Sequence, residues 1–131
     1  MIEFVWPQTL GEWLAWLSAL STMLFGLWAM VMPRLWLKLL NLRTVEGRPE
    51  AVAEMRGPLG GMNFGLGLAV ILLHPQPLLY LGLGSALLFM AIGRLVSVFV
   101  DKGSAAQNWY SLLFELVMAA FPLLYVFGVI S

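Results

Sequence analysis

The residues best suited to chemistry in this chain are an arginine and two carboxylates that lie in or beside apolar segments. In the stretch GRLVSVFVD, Arg94, Ser97 and Asp101 occupy positions i, i+3 and i+7, so on a helix they share one face. Glu115 stands alone within the last apolar segment. An arginine inside such a segment can bind an anionic or carbonyl head group, and the glutamate can act as its counter-ion or accept a proton.

The composition indicates that these charges are surrounded by lipid rather than by water. Of the 131 residues, 61% are hydrophobic and 11% are charged, and the mean hydropathy is +0.90. Soluble domains carry about 25% charged residues. The formal net charge is zero, so no overall field attracts nucleic acid. We therefore expect a membrane protein whose partners include lipids and exclude nucleic acid.

The cysteine and histidine content argues against several kinds of site. The chain has no cysteine, which rules out disulfides, thiol catalysis and cysteine-bound metal, and its one histidine, His74, argues against a histidine-based metal site. His74 opens the sequence HPQP between two apolar segments. We expect it to be a solvated turn residue, and we expect no metal and no cofactor.

Long uncharged segments predict the fold class. The twenty residues from Trp13 to Met32 carry no charge, which at 1.5 Å per residue is enough to cross a hydrocarbon core of about 30 Å. Tryptophans flank this segment, as is typical of residues at the head-group level. The prediction is an all-α polytopic membrane four-helix bundle, a single transmembrane domain over residues 1–131, with spans at about 12–32, 57–73, 78–100 and 109–130.

A shorter segment follows the first span. Pro33 should end the first helix, and residues 34–43, RLWLKLLNLR, place Arg34, Lys38 and Asn41 on one stripe with leucines around the rest. This pattern is typical of a helix that lies in the membrane interface, since the segment is too short to span.

The second span is rich in glycine and contains a proline. Pro49 and Glu50 suit the first turn of a helix, and Pro58 should bend that helix because it removes the hydrogen bond to the carbonyl of Glu54. Two overlapping G-x-x-x-G steps predict close contact with a neighbouring helix. The glycines that we expect to pack helices together are Gly57, Gly60, Gly61, Gly65 and, in the third span, Gly93.

The basic residues predict the orientation. Arginines and lysines follow the first and third spans, whereas the N-terminus, the HPQP turn and the C-terminus have none, so both termini should lie outside the cytoplasm. Glu3 and Glu12 stand where a signal peptide would carry basic residues, so we expect the first span to be retained.

The spacing also predicts which charges meet. Arg94 and Glu115 both lie about 10–12 Å below the same membrane boundary on adjacent antiparallel helices, so we expect them to pair. Other polar residues should form a vestibule closer to the surface. The predicted polar cluster, which either binds a ligand or stabilises the bundle, is Glu54, Arg56, Asn63, Arg94, Ser97, Asp101, Ser111 and Glu115.

Three of these segments together resemble a known family. The sequences EMRGPLGG at residues 54–61 and GRLVSVFVD at residues 93–101, followed by Glu115, are similar to the bacterial domain-of-unknown-function family numbered four-three-four-five, which is DoxX-like in layout. The resemblance implies a bacterial inner-membrane protein and brings no activity with it. It implies that the family's recurrent polar features are Arg56, Gly60, Gly61, Gly93, Arg94, Ser97, Asp101 and Glu115.

Two functions remain open. One is an accessory, assembly or interaction subunit without enzymatic activity, in which the Arg94 and Glu115 pair fixes helix register; a homo-oligomer or a larger membrane complex would be its setting. The alternative is a binder, carrier or enzyme for a small amphiphile, such as a lipid, a quinone or a sterol-like molecule, that uses Arg56, Arg94 and Glu115. No catalytic residue can be named, and we favour the first function.

Overall fold

The described part of the chain is helical, as the sequence predicts. A computed structural model describes residues 3–40, 42, 46, 48–101 and 106–130, and none of these residues forms a β-strand. Among these described residues, three stretches are long and apolar enough to cross a membrane: Leu10–Val31, Pro77–Val100 and Asn108–Val126. The helices are α1 (Leu10–Val31), α2 (Pro33–Leu39), α3 (Glu50–Glu54), a π-helical segment (Met55–Gly61), α4 (Met62–Leu72), α5 (Pro77–Val100) and α6 (Ala106–Val126).

Helix α1 begins with the threonine half of a capping box. The Thr9 hydroxyl accepts a hydrogen bond from the Glu12 backbone N–H at 3.2 Å and donates to the Glu12 carboxylate at 3.3 Å. A threonine at this position satisfies one of the N–H groups that the first turn would otherwise leave unpaired. Glu12 therefore belongs to the helix, which begins at Leu10.

Helix α2 packs against protein along one side. Pro33 occupies its first turn and separates it from α1, because proline fits that position without a missing hydrogen bond. Leu37 joins a buried cluster with Ala29, Val52 and Met55. Arg34 and Lys38 are exposed. The helix is shorter than the predicted 34–43 segment, and Asn41 and Arg43 lie outside the described residues.

Pro58 is accommodated by a change of helix type. Residues Met55–Gly61 form a π-helical segment that contains Pro58 and joins α3 to α4. Pro58 has no N–H to donate in either helix type, and π-helical segments commonly occur where the regular hydrogen-bond ladder is interrupted. The Asn63 side chain donates to the Leu59 carbonyl at 2.6 Å, which satisfies one acceptor of this irregular segment. Continuous helical backbone therefore extends from Glu50 to Leu72.

The chain divides into two units. Residues 1–18 and 70–131 form one, which we call the α5–α6 unit, and residues 19–69 form the other, which we call the α2–α3 unit.

Within the α2–α3 unit, glycines bring α1 close to the π-helical segment and α4. A Cβ on Gly26 would lie 2.2 Å from the Phe64 nitrogen, and one on Gly67 would lie 2.5 Å from the Ala19 carbonyl oxygen. Gly60 is similarly tight against Met30. Residues later in α1 contact residues that come earlier in the π-helical segment and α4. The two helical stretches therefore run antiparallel. Backbones this close leave no room for a side chain.

The glycines predicted to pack helices together differ in their surroundings. A Cβ on Gly60 would be tight against Met30, whereas one on Gly57, Gly65 or Gly93 would have no atom of the described neighbours within 4 Å, and Gly61 makes only ordinary contact with the Arg56 carbonyl. Within the described chain these last four glycines make no close contact with another helix. Gly60 and Gly67 are seven residues apart and share a face, and that face, rather than the one with the G-x-x-x-G steps, meets α1.

Helices α5 and α6 form the antiparallel pair of the α5–α6 unit. The rings of Tyr80 and Tyr125 meet edge to face at 5.3 Å. One turn further along α5, a Cβ on Gly84 would lie 2.6 Å from the Leu123 side chain. Near the other end of α5, Arg94 contacts α6. The apolar layer between these contacts includes the buried residues Leu83, Leu87, Ala91, Met118 and Ala119.

Helix α6 ends before the predicted limit of residue 130. Gly128 has a φ of 77° and its N–H donates to the Tyr125 carbonyl at 3.2 Å, while the Val129 N–H donates to the Leu124 carbonyl at 2.9 Å. This pair of bonds is the Schellman motif, in which a glycine in the left-handed region terminates a helix. The helix therefore stops at Val126.

Candidate functional site

Arg94 is held by two side chains of α6. Its Nε donates to both carboxylate oxygens of Glu115 at 3.2 Å, and its Nη2 donates to Oε1 at 2.8 Å. Its Nη1 donates to the Asn108 Oδ1 at 3.1 Å. Among the described residues, these contacts use three of the five guanidinium N–H groups. The ion pair that the sequence predicts between Arg94 and Glu115 is therefore present, in the forked geometry that arginine and carboxylate favour.

Both partners are substantially removed from solvent. The exposed fraction of the side chain is 26% for Arg94 and 10% for Glu115. Loss of either partner would leave the other charge poorly solvated, which costs several kcal/mol in buried pairs. The contact therefore joins α5 to α6 through a largely buried ion pair.

Asn108 belongs to this site, and sequence reasoning missed it. It lies seven residues before Glu115 on α6, so the two side chains share a face. The same i, i+7 spacing that links Arg94 and Asp101 in the sequence could have revealed Asn108. We refer to Arg94, Asn108 and Glu115 together as the Arg94 clasp.

An open groove lies beside the Arg94 clasp. Its volume is about 430 Å³, which falls within the range of small-molecule sites, about 300–1,000 Å³. Polar side chains line one part of it and apolar groups line the rest. The lining residues are Phe89, Met90, Gly93, Arg94, Ser97, Asn108 and Glu115.

The other predicted residues of the α5–α6 unit do not all join the groove. Ser97 lines it, but the Ser97 hydroxyl donates to Asp101 at 2.7 Å. Asp101 is exposed at the end of α5 and is not part of the lining. Ser111 lies one turn before Glu115 on α6 and also does not line the groove. The structure thus brings together Arg94, Ser97 and Glu115.

The remaining predicted residues lie in the α2–α3 unit. The Arg56 Nη1 donates to the Met30 carbonyl at 3.1 Å, near the end of α1, where a cation compensates the helix dipole. Asn63 bonds to the Leu59 carbonyl. Glu54 ends α3 and is exposed. Arg56 and Asn63 therefore have roles in supporting helix ends and irregular backbone within their own unit.

A second polar network, formed by Glu12, His74 and Tyr80, lies at the other end of the α5–α6 unit. It corrects the prediction for His74. The His74 side chain has no exposed surface, so the expectation of a solvated turn residue is wrong. Its Nε2 lies 3.1 Å from the Glu12 Oε1, and its Nδ1 lies 2.6 Å from the Tyr80 hydroxyl. Because a carboxylate only accepts, Nε2 donates to Glu12, and Nδ1 forms the second hydrogen bond with the Tyr80 hydroxyl. Among the described residues, no group of three or more side chains could hold a metal ion.

The local sequence gives little signal for this network. Glu12 and His74 are 62 residues apart, and each is explained locally, one by the capping box and the other by a proline-rich turn. Only the packing of α1 beside the His74 turn makes them partners.

Comparison with known protein families identifies a match. A family model described as "Domain of unknown function (DUF4345)" matches residues 11–127. No curated protein and no solved structure matches the chain. The matched region includes all of α1 but its first residue, the whole of α5 and α6, and all residues of the Arg94 clasp.

Proposed function

The chain belongs to the DUF4345 family of unknown function, and we propose that it is an integral membrane protein with four spans in a single transmembrane domain. Three helices support this by their length and apolar character. For the fourth span we propose residues 57–73, which carry no charge and would cover about 25 Å as a helix. A DoxX-like four-helix layout follows from the same proposal.

The proposed location is the bacterial inner membrane, with both termini outside the cytoplasm. The uneven distribution of lysine and arginine among the loops supports this orientation. In it, α2 would lie at the cytoplasmic interface. Its exposed Arg34 and Lys38 beside the exposed Leu39 suit a position at the head-group level.

We propose that the protein acts as an accessory or assembly subunit without enzymatic activity, in a homo-oligomer or a larger membrane complex. The observation that carries this proposal is the Arg94 clasp. Glu115 and Asn108 together engage three N–H groups of the guanidinium, so the contacts immobilise the charged groups between two helices. Such a contact stabilises a fixed helical surface, which a membrane subunit needs in order to present the same face to its partner.

The experiment is a double-mutant cycle on the Arg94 clasp. The variants are Arg94→Met, Glu115→Leu and the double variant, and the measurement is the thermal unfolding of each in detergent micelles. Each single variant leaves one charge unpaired, so we expect each to lose roughly 3 kcal/mol. We expect the double variant to recover most of this loss because neither charge remains, and buried pairs can often be replaced by apolar groups.

A matched control uses an exposed ion pair. Arg48 and Glu50 are 3.0 Å apart with side chains 70% and 63% exposed, so Arg48→Met and Glu50→Leu should each change stability by less than about 0.5 kcal/mol. If the two losses at Arg94 and Glu115 simply add in the double variant, the clasp is not a structural pair and the proposal fails.

A further inference from the structure

We propose that the groove beside the Arg94 clasp binds the zwitterionic head group of an amphiphile, with its anionic oxygens on Arg94 and its ammonium on Glu115. This goes beyond the accessory role, because it assigns a ligand to the site. The groove offers charged groups, guanidinium donors that the clasp does not use, and an apolar surface for the rest of the ligand.

The clasp retains donors and acceptors that a ligand could use. Arg94 lines the groove, and its described contacts use three of its five N–H groups. Each oxygen of the Glu115 carboxylate can accept more than one hydrogen bond. A positive donor and a negative acceptor therefore line the same groove with their charges held in fixed positions.

The charges of the groove lining determine the sign of the ligand. Arg94 and Glu115 are the charged side chains among the described lining residues, and they cancel each other formally. A purely anionic head group would be repelled by Glu115, and a purely cationic one would be repelled by Arg94. A head group that carries both charges can face each partner with the opposite sign.

The apolar side chains of the groove suit the rest of the ligand. Phe89 and Met90 line the groove and are exposed, at 66% and 41% respectively. Both are on α5, one of the helices long and apolar enough to cross a membrane. An acyl chain that follows these side chains would leave the groove along the apolar surface of α5. The ligand class is therefore a zwitterionic amphiphile with a primary ammonium, for which phosphoethanolamine is the simplest head group.

The test uses one substitution that fills the groove and one that does not. Gly93 lines the groove, and a Cβ there meets no described atom within 4 Å, so Gly93→Leu should occupy the groove without disturbing the clasp. Gly82 on the same helix is equally uncovered and is absent from the lining, so Gly82→Leu is the matched control. Circular dichroism checks that both variants fold.

The probes are three short-chain lipids that differ only in the head group: dihexanoyl phosphoethanolamine, phosphocholine and phosphoglycerol. Each is titrated into the delipidated full-length protein in detergent micelles, and binding is counted by native mass spectrometry. We expect one equivalent of the phosphoethanolamine lipid to bind at least tenfold more tightly than the other two, because choline offers no N–H and glycerol carries no cation. Gly93→Leu should weaken it at least tenfold, and Gly82→Leu should not.

Further outcomes are equally decisive. Glu115→Gln keeps a side chain of the same shape and should remove the preference for the phosphoethanolamine lipid over the phosphoglycerol lipid. Equal binding of all three lipids, preference for the phosphoglycerol lipid, or unchanged binding in Gly93→Leu would overturn the proposal. The unfolding cycle on the clasp contains no ligand, so its result stands or fails independently.

Discussion

The Tyr80 hydroxyl provides a sharp test of the network around His74. Tyr80→Phe keeps the ring and its edge-to-face contact with Tyr125, and it removes only the hydroxyl that lies 2.6 Å from the His74 Nδ1. Both side chains are buried, with Tyr80 and the His74 side chain at 0% exposure. Water therefore has little access to the nitrogen that loses its partner.

The size of the effect follows from that burial. A buried polar atom left without a hydrogen bond costs about 1–3 kcal/mol. By the scaling of globular domains near this length, about 4 °C per kcal/mol, the unfolding temperature should fall by roughly 4–12 °C. In a His74→Leu background the same substitution should cost less than about 0.5 kcal/mol, since its partner is already gone.

Thermal unfolding in detergent micelles, followed by tryptophan fluorescence, measures these differences. Tyr110→Phe is the matched control, because Tyr110 on α6 is 74% exposed and its hydroxyl can bond to solvent. If Tyr80→Phe and Tyr110→Phe change stability equally, or if the cost of Tyr80→Phe persists in the His74→Leu background, the network does not stabilise the fold as described.

Two further predictions concern glycine packing and topology. Gly67→Ala should destabilise the protein by about 1–3 kcal/mol, because its Cβ would lie 2.5 Å from one backbone atom and 2.6 Å from another. Gly65→Ala, with nothing nearby, should be neutral or gain up to about 1 kcal/mol of helix propensity; equal unfolding temperatures for the two variants would contradict the packing. Single cysteines at Gln76 and Gly47 should react with a membrane-impermeant maleimide from opposite sides of the membrane, and labelling of both from one side would exclude the proposed four-span topology.

The two polar networks of the α5–α6 unit lie far apart along one helix. Tyr80 and Arg94 are fourteen residues apart on α5, or about 21 Å. Buried Leu83, Leu87 and Ala91 separate them. In a helix that crosses a membrane, a charge has its lowest free-energy cost near an interface. Polar groups toward both ends, with an apolar layer between them, fit that requirement.

Several features could be read from the sequence because they depend on neighbouring residues. The length of uncharged segments predicted helices, since each backbone group in a helix is satisfied within a few residues. Pro33 predicted the boundary between α1 and α2 for the same reason. The Arg94 and Glu115 pairing was also predictable, because a short loop between antiparallel helices fixes the depth of both residues.

Tertiary structure decided the features that depend on which helix faces meet. His74 was expected in solvent, and only the packing of residues distant in sequence buries it between Glu12 and Tyr80. The G-x-x-x-G steps lie in the helical stretch that approaches α1, but Gly26 and Gly67, which are outside those steps, make the tightest backbone contacts. Asn108 belongs to the clasp because the rotation of α6 about its axis places its side chain beside Arg94. A sequence specifies the period of each helix, whereas the rotation of a helix about its axis is selected by the total packing with its neighbours.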